Sequence, residues 1–181
     1  MRFEESPMQV EIRQLARKFA QNELAPLVEQ DEHDERFRPE IIRKLGDLGL
    51  TGIPVPEEYG GAGLGYAEYA VAIEELARVS ASYAISVAVT GLPQMILAAA
   101  GSEEQRRKYI PKLASGEAIG AYSLSEASSG SDAGSLRTTA RLDGDHYVIN
   151  GTKLWTTQAD SADVILLMAR TGGRSEERRV G

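Results

Sequence analysis

The sequence predicts an α+β fold, helical over residues 1–119 and an antiparallel sheet from residue 120 onward. Two observations carry this. Apolar residues recur at the 3.6-residue period of a helix as far as Gly116, and beyond it the period falls to two. Within the second region, Asp143-Gly144 and Asn150-Gly151 are the dipeptides favoured in two-residue hairpin turns.

Each element follows from its own residues. Ser6-Pro7 with Gln9 forms a capping box with proline at the first helical position, and Met8, Ile12, Leu15 and Phe19 then share one face. A polar, charged connector follows. Pro39, Ile41, Ile42, Leu45 and Leu48, stopped by Gly49, predict a second helix that packs on the first. Ile53-Pro54-Val55-Pro56 must be extended, and glycines 60, 61, 63 and 65 predict a flexible loop before a third helix over 67–79. The uncharged run from Val79 to Ser102 reads as a buried pair of core helices broken at Gly91-Leu92-Pro93, not a membrane span. Ser102 caps a last helix that opens on Glu103-Glu104-Gln105 and that Pro111 should kink. Strands are expected near Tyr122, over 137–142, 145–149 and 152–156, and from Val164 to Met168. The sheet's last strands are missing from this pattern.

Composition narrows the function. The chain has 181 residues, 42% hydrophobic and 26% charged, enough for one core and part of another. A net charge of −7 argues against duplex nucleic acid or anionic lipid as a partner. With no cysteine, disulfides, thiolate nucleophiles and Cys-ligated metals are excluded, and only two histidines are present. Glu4 and Glu5 stand where a signal peptide would be basic, so the expected location is cytoplasmic. The acidic run Asp31-Glu32-His33-Asp34-Glu35 reads as a solvated connector rather than a metal site. Gly60-Gly61-Ala62-Gly63-Leu64-Gly65 contains no G-x-G-x-x-G, and His146 receives no role.

Two stretches can carry chemistry. Tyr122-Ser123-Leu124-Ser125-Glu126-Ala127-Ser128-Ser129-Gly130-Ser131-Asp132 runs from a strand into a small-residue loop, where backbone N–H groups and hydroxyls can approach phosphate oxygens. Asn150-Gly151-Thr152-Lys153-Leu154-Trp155-Thr156-Thr157 places the one tryptophan on a strand beside two threonines, so an indole face and hydroxyls could meet a flat conjugated ring.

Together with Leu48-Gly49-Leu50 and Val55-Pro56-Glu57-Glu58-Tyr59-Gly60-Gly61, these motifs resemble the acyl-CoA dehydrogenase family from about Ser6 to Arg170. The resemblance implies an N-terminal helical domain over 1–119 and part of a middle β-barrel-like, FAD-binding domain over 120–173. The family's C-terminal helical domain would be absent. It implies that Tyr122, Leu124 and Ser125 touch the flavin ring, that Gly130 and Ser131 meet the pyrophosphate, with Ser131 also near the thioester ligand, and that Trp155, Thr156 and Thr157 lie on the ring's other side. Two departures stand out: Ala127-Ser128-Ser129 replaces the usual Pro-Gly-Ala, and Ser125 stands where threonine is common. The implied reaction converts an acyl-CoA to a trans-2-enoyl-CoA, with electrons passed to an electron-transfer flavoprotein and a homotetramer for the complete protein. No position matches the family's catalytic glutamate, and Glu126 is not promoted to that role. These 181 residues alone are therefore expected not to turn over. The rivals are an acyl-CoA oxidase or flavin monooxygenase on the same fold, and a non-catalytic helical interaction module. Residues 174–181, Arg-Ser-Glu-Glu-Arg-Arg-Val-Gly, resemble the translation of a sequencing-library adapter and are expected to be a non-native tail.

Overall fold

The computed structural model describes residues 4–172; the expected tail, 174–181, lies outside the described residues. The first helix, α1 (Pro7–Phe19), begins as its residues dictate. Ser6 Oγ accepts from the Gln9 amide at 3.2 Å, and Gln9 Oε1 accepts from the Ser6 amide at 2.9 Å. Ile12, Ala16 and Phe19 face the core.

The chain does not become irregular after Phe19. A π-helical turn, Ala20–Leu24, leads directly into α2 (Ala25–His33), so most of the expected connector is helical. Pro26 has no N–H for the carbonyl one turn back, and the wider turn absorbs that missing bond while keeping Ala20 and Leu24 fully buried. Nor is the acidic run wholly solvated. Asp31 is buried, accepting from Arg38 Nε at 2.8 Å and from Tyr83 Oη at 3.1 Å, and Arg38 holds its carboxyl below the usual range. Residues 32–35 are exposed.

Helix α3 (Pro39–Asp47) buries Ile41, Ile42 and Leu45 and ends as expected at Gly49, with φ +74° and a bond from the Leu50 amide to the Leu45 carbonyl. The glycine-rich loop is tied down rather than free. Amides 62, 63 and 64 donate to the carbonyls of Gly52, Val55 and Ile53, and a Cβ on Gly61 would overlap Val55.

Helix α4 (Tyr66–Ala77) packs on α1. Helix α5 (Ala81–Ala100) is a single helix, not a pair, and runs through Gly91-Leu92-Pro93. Contacts with α4, α6 and β1 outweigh the local cost of proline, and the wholly buried Gln94 donates from Nε2 to the carbonyls of Thr51 and Thr90. By length and composition α5 could cross a membrane; here it packs among those elements. Helix α6 (Glu103–Ala114) is likewise one element through Pro111, capped by Ser102 as expected. The core of this region is built from Leu24, Ile41, Ile42, Leu45, Leu76 and Val87, with Ile119 closing it.

The β region departs further from expectation. Strand β1 (Gly120–Ser123) pairs with β4 (Val164–Leu167) in parallel, in register from Gly120↔Val164 to Ser123↔Leu167. Only β2 (Thr139–Asp143) and β3 (His146–Asn150) form the expected antiparallel pair. Their turn is Gly144-Asp145, one residue later than predicted, with Gly144 at φ +64°. Residues 152–156 are not a strand, and no closed barrel forms among the described residues. A parallel bridge, Thr139↔Arg170, links the two pairs. The long excursion between β1 and β4 is what allows them to run the same way. It is also where the candidate site lies.

Candidate functional site

The site is built where the chain leaves β1 and where it returns toward β4. Leaving β1, residues 126–129 make a tight turn. The Glu126 amide donates to the Ser129 carbonyl at 2.7 Å and the Ser129 amide returns to Glu126 at 3.2 Å, so Ala127-Ser128-Ser129 is accommodated without proline. Ser129 Oγ then donates to the Asp132 carbonyl at 2.9 Å.

Three contacts bring the returning segment against this one. The Leu154 amide donates to the Ser125 carbonyl at 2.8 Å, and the Ser123 and Thr156 hydroxyls are 2.9 Å apart. Between them, Lys153 Nζ lies 2.8 Å from both the Leu124 carbonyl and Glu126 Oε1. Glu126 also accepts from the amides of Arg137 at 2.5 Å and Thr138 at 2.9 Å. With Lys153 foremost among these donors, its carboxyl is held far below the usual range. A carboxylate that accepts three hydrogen bonds, one of them from an ammonium, is a poor proton acceptor.

The structure places the expected residues as follows. Tyr122 is half-buried on β1 opposite Leu166, and Leu124 and Ser125 are half-buried just beyond it. Thr156 is half-buried on Ser123, while Ser131 and Thr157 are exposed. Trp155 is neither on a strand nor in the core. It is 89% exposed with φ +58°, a left-handed conformation that is costly for a bulky residue and tends to persist at functional sites. Among the described residues, no hydrogen bond joins Gly130 or Ser131 to the 150–157 segment.

Sequence reasoning missed two features. The first is Lys153, whose partner Glu126 stands 27 residues earlier in the chain, too far for the motif around the lysine to signal the ion pair. Gln158, at φ +52°, donates from Nε2 to the Ser86 carbonyl, Thr90 Oγ1 and the Gly120 carbonyl at 3.2, 2.8 and 2.6 Å, joining α5 to β1 beside Thr157. Nothing local in the sequence signals that contact.

These residues fit a flat ring with a polar edge and an anionic tail. A Cβ on Gly130 would meet nothing within 4 Å, leaving the loop open to a ligand, and its donors are amides and hydroxyls. The indole offers an uncovered face, and the buried Oε1 of Gln158 has no partner within the protein.

Comparison with known proteins agrees with this geometry. The family model described as acyl-CoA dehydrogenase, N-terminal domain, matches residues 6–117, and the model for the middle domain matches residues 121–181. An acyl-CoA dehydrogenase of Bacillus subtilis is 45% identical over 164 residues, 90% of this chain and 43% of that protein. A chain in a structure of the electron transferring flavoprotein of Acidaminococcus fermentans superimposes with a TM-score of 0.91 at 38% identity, covering 95% of this chain and 46% of that one. A glutaryl-CoA dehydrogenase from Mycobacterium smegmatis, solved in complex with FADH2, gives 0.88 at 34%, covering 92% and 43%. The chain thus spans a little under half the length of the proteins it matches. With helical and middle domains matched in order across the helices and across the two stapled motifs, the chain belongs to the acyl-CoA dehydrogenase family.

Proposed function

We propose that the complete protein is an FAD-dependent acyl-CoA dehydrogenase that passes its electrons to an electron-transfer flavoprotein. The observation that carries this reading is the joining of the 122–132 and 150–157 segments through Ser125–Leu154 and Ser123–Thr156, which sets an exposed indole beside hydroxyl donors. The glutaryl-CoA dehydrogenase solved with FADH2 and the flavoprotein structure of Acidaminococcus support the choice of cofactor and partner.

On this reading, bound FAD supplies a two-electron acceptor. The substrate loses its α-proton to a carboxylate base and its β-hydrogen as hydride, giving a trans-2-enoyl-CoA. Thr156, fixed by Ser123, would hold a hydroxyl at the ring's edge, where a donor favours the negative charge of the reduced ring. Trp155 would cover the ring and exclude water, Tyr122, Leu124 and Ser125 would line its other side, and Gly130 and Ser131 would receive the pyrophosphate. The base is assigned to residues beyond these 181, so the chain alone is proposed to be inactive. Domain limits of 1–119 and 120–173 belong to the same proposal, as does the homotetramer.

The test is to resequence the gene through the codon for Gly173, express the whole reading frame and examine the purified protein. A yellow protein whose visible absorption bleaches anaerobically on adding an acyl-CoA, and recovers slowly in air, is the expected result. Rapid peroxide formation would instead identify an oxidase, and a colourless protein that takes up no FAD would identify a binding module.

Trp155 separates binding from stability. Because it is 89% exposed, Trp155→Ala should change unfolding free energy by no more than about 0.5 kcal/mol. Loss of the stacking face should weaken FAD binding by about tenfold. Titration of the apoprotein with FAD, monitored by flavin fluorescence, measures the second quantity.

A further inference from the structure

We infer that Glu126 and Lys153 are the positioning pair of the flavin site: together they fix the distance between its two segments, and FAD affinity depends on that pairing. The inference rests on the FAD-binding reading above. Its ground is geometric. The two side chains are only 6% and 7% exposed and 2.8 Å apart, although the neighbouring β2–β3 hairpin is largely exposed. A buried ion pair contributes little net stability over an apolar pair of the same size, so its place here is not explained by stability alone.

What the pair accomplishes is convergence. Lys153 bonds the carbonyl of Leu124 and the carboxylate of Glu126 in the same loop, while Glu126 draws in the amides of Arg137 and Thr138 at the approach to β2. Three stretches of chain therefore meet on one carboxylate and one ammonium. Leu124, Ser125, Trp155 and Thr156 all lie within three residues of these anchors in sequence, so a shift of the pair shifts the residues proposed to touch the ring. The pair itself is assigned no contact with substrate or reacting atoms.

The roles are also asymmetric. The carboxylate at 126 accepts from two backbone amides as well as from lysine, and an ammonium at that position could accept from neither. Charge reversal must therefore fail where charge removal succeeds.

The experiment uses the complete protein as wild type and as Lys153→Met, Glu126→Gln, the double variant Glu126→Gln/Lys153→Met, and the reversed pair Glu126→Lys/Lys153→Glu. Glu75→Gln, in a buried ion pair of the helical region, serves as a control of comparable burial. Each is titrated with FAD, and the circular dichroism of the bound flavin is recorded beside the thermal midpoint. Lys153→Met should raise the FAD dissociation constant by about ten- to a hundredfold, the range typical of residues that orient the groups around a bound centre, and should alter the flavin dichroism. Glu126→Gln, which keeps the side chain's shape, should lose about tenfold and provides the readout if Lys153→Met does not fold. The neutral double variant should bind FAD more tightly than Lys153→Met, since no charge is left unpaired, and the reversed pair should not recover. Glu75→Gln should lower the thermal midpoint and leave FAD affinity within about threefold of wild type.

Wild-type affinity and dichroism in the Lys153 and Glu126 variants would overturn the inference while leaving the functional reading intact. So would an equal loss of FAD in the Glu75 control, or a double variant no better than Lys153→Met. A colourless wild type that binds no FAD would overturn both.

Discussion

Replacing Gly46 with alanine should destabilise the protein by about 3 kcal/mol, the upper range for forcing atoms into a closed contact. Gly46 lies in α3, where a helix-forming residue would ordinarily gain from such a change. Here it meets backbone. A Cβ on Gly46 would overlap the carbonyl of Ser115 and stand 2.6 Å from the Gly116 nitrogen, immediately after α6. The contact is reciprocal, since a Cβ on Gly116, at φ +68°, would lie 2.5 Å from the Ile42 carbonyl oxygen. Neither side can rotate away, because both contacting groups are main chain within packed helix ends. Helix α3 would have to withdraw from the end of α6, loosening the burial of Ile42 and Leu45. Thermal unfolding is the measurement, with a fall of roughly 10 °C expected for a chain of this size. Gly134→Ala is the matched control. Its added Cβ meets only a carboxylate oxygen at 3.5 Å, so a change under about 0.5 kcal/mol is expected. Similar midpoints for the two variants would remove the close approach as the reason for glycine at position 46.

This contact also marks the boundary of what the sequence alone could tell. Helix starts were legible at Ser6 and Ser102, and a helix end at Gly49, because a cap is satisfied within a few residues. Gly46 carries no such signal, for its reason lies some 70 residues away in the chain. The same applies to Pro93, which reads as a break yet sits inside α5 under the weight of tertiary packing. In the β region, the residue pattern located β1, β2, β3 and β4 and the turn signal paired β2 with β3, but nothing in it paired β1 with β4. Parallel pairing of β1 with β4 is decided by the intervening loops and by Asp163, whose carboxylate accepts from the Ile119 amide at 2.9 Å. At the site, the two motifs were legible as stretches because their residue types are unusual. Their joining was not, because it depends on Lys153 and Thr156 reaching back across some thirty residues.

Acidification should cost this protein stability between about pH 5 and pH 2, and Glu75 should account for a measurable part of it. Glu75 is 2% exposed on α4 and faces two arginines of α1. Arg17 Nε and Nη2 donate to it at 2.8 and 2.9 Å, and Arg13 Nη1 at 2.5 Å, while Arg13 also reaches Glu74 at 3.1 Å and bonds Glu5. Arg17, and secondarily Arg13, stabilise the carboxylate more than burial opposes it, and its pKa falls from 4.5 to about 2. The folded-state value is the lower one, so the unfolded chain takes up the proton first as pH falls. The contribution is complete above about 4.5 and is lost as pH approaches 2. Glu75→Gln keeps the shape but not the charge. At pH 7 it should cost about 2 kcal/mol, reflecting weakened charge-assisted hydrogen bonds, with Arg13 still held by Glu5 and Glu74. In thermal midpoint that is roughly 4–8 °C. The gap should narrow steadily below pH 5 and be small by pH 2, because the carboxyl is then about half protonated in the folded protein and almost wholly so in the unfolded chain, leaving little of the charge's contribution. Raising salt to about 0.5 M at pH 7 should leave most of the gap, since a pair shielded from solvent is little screened. A difference between the two proteins that is the same at pH 2 as at pH 7 would show that Glu75 acts through packing, and that the α1–α4 contact does not depend on its charge.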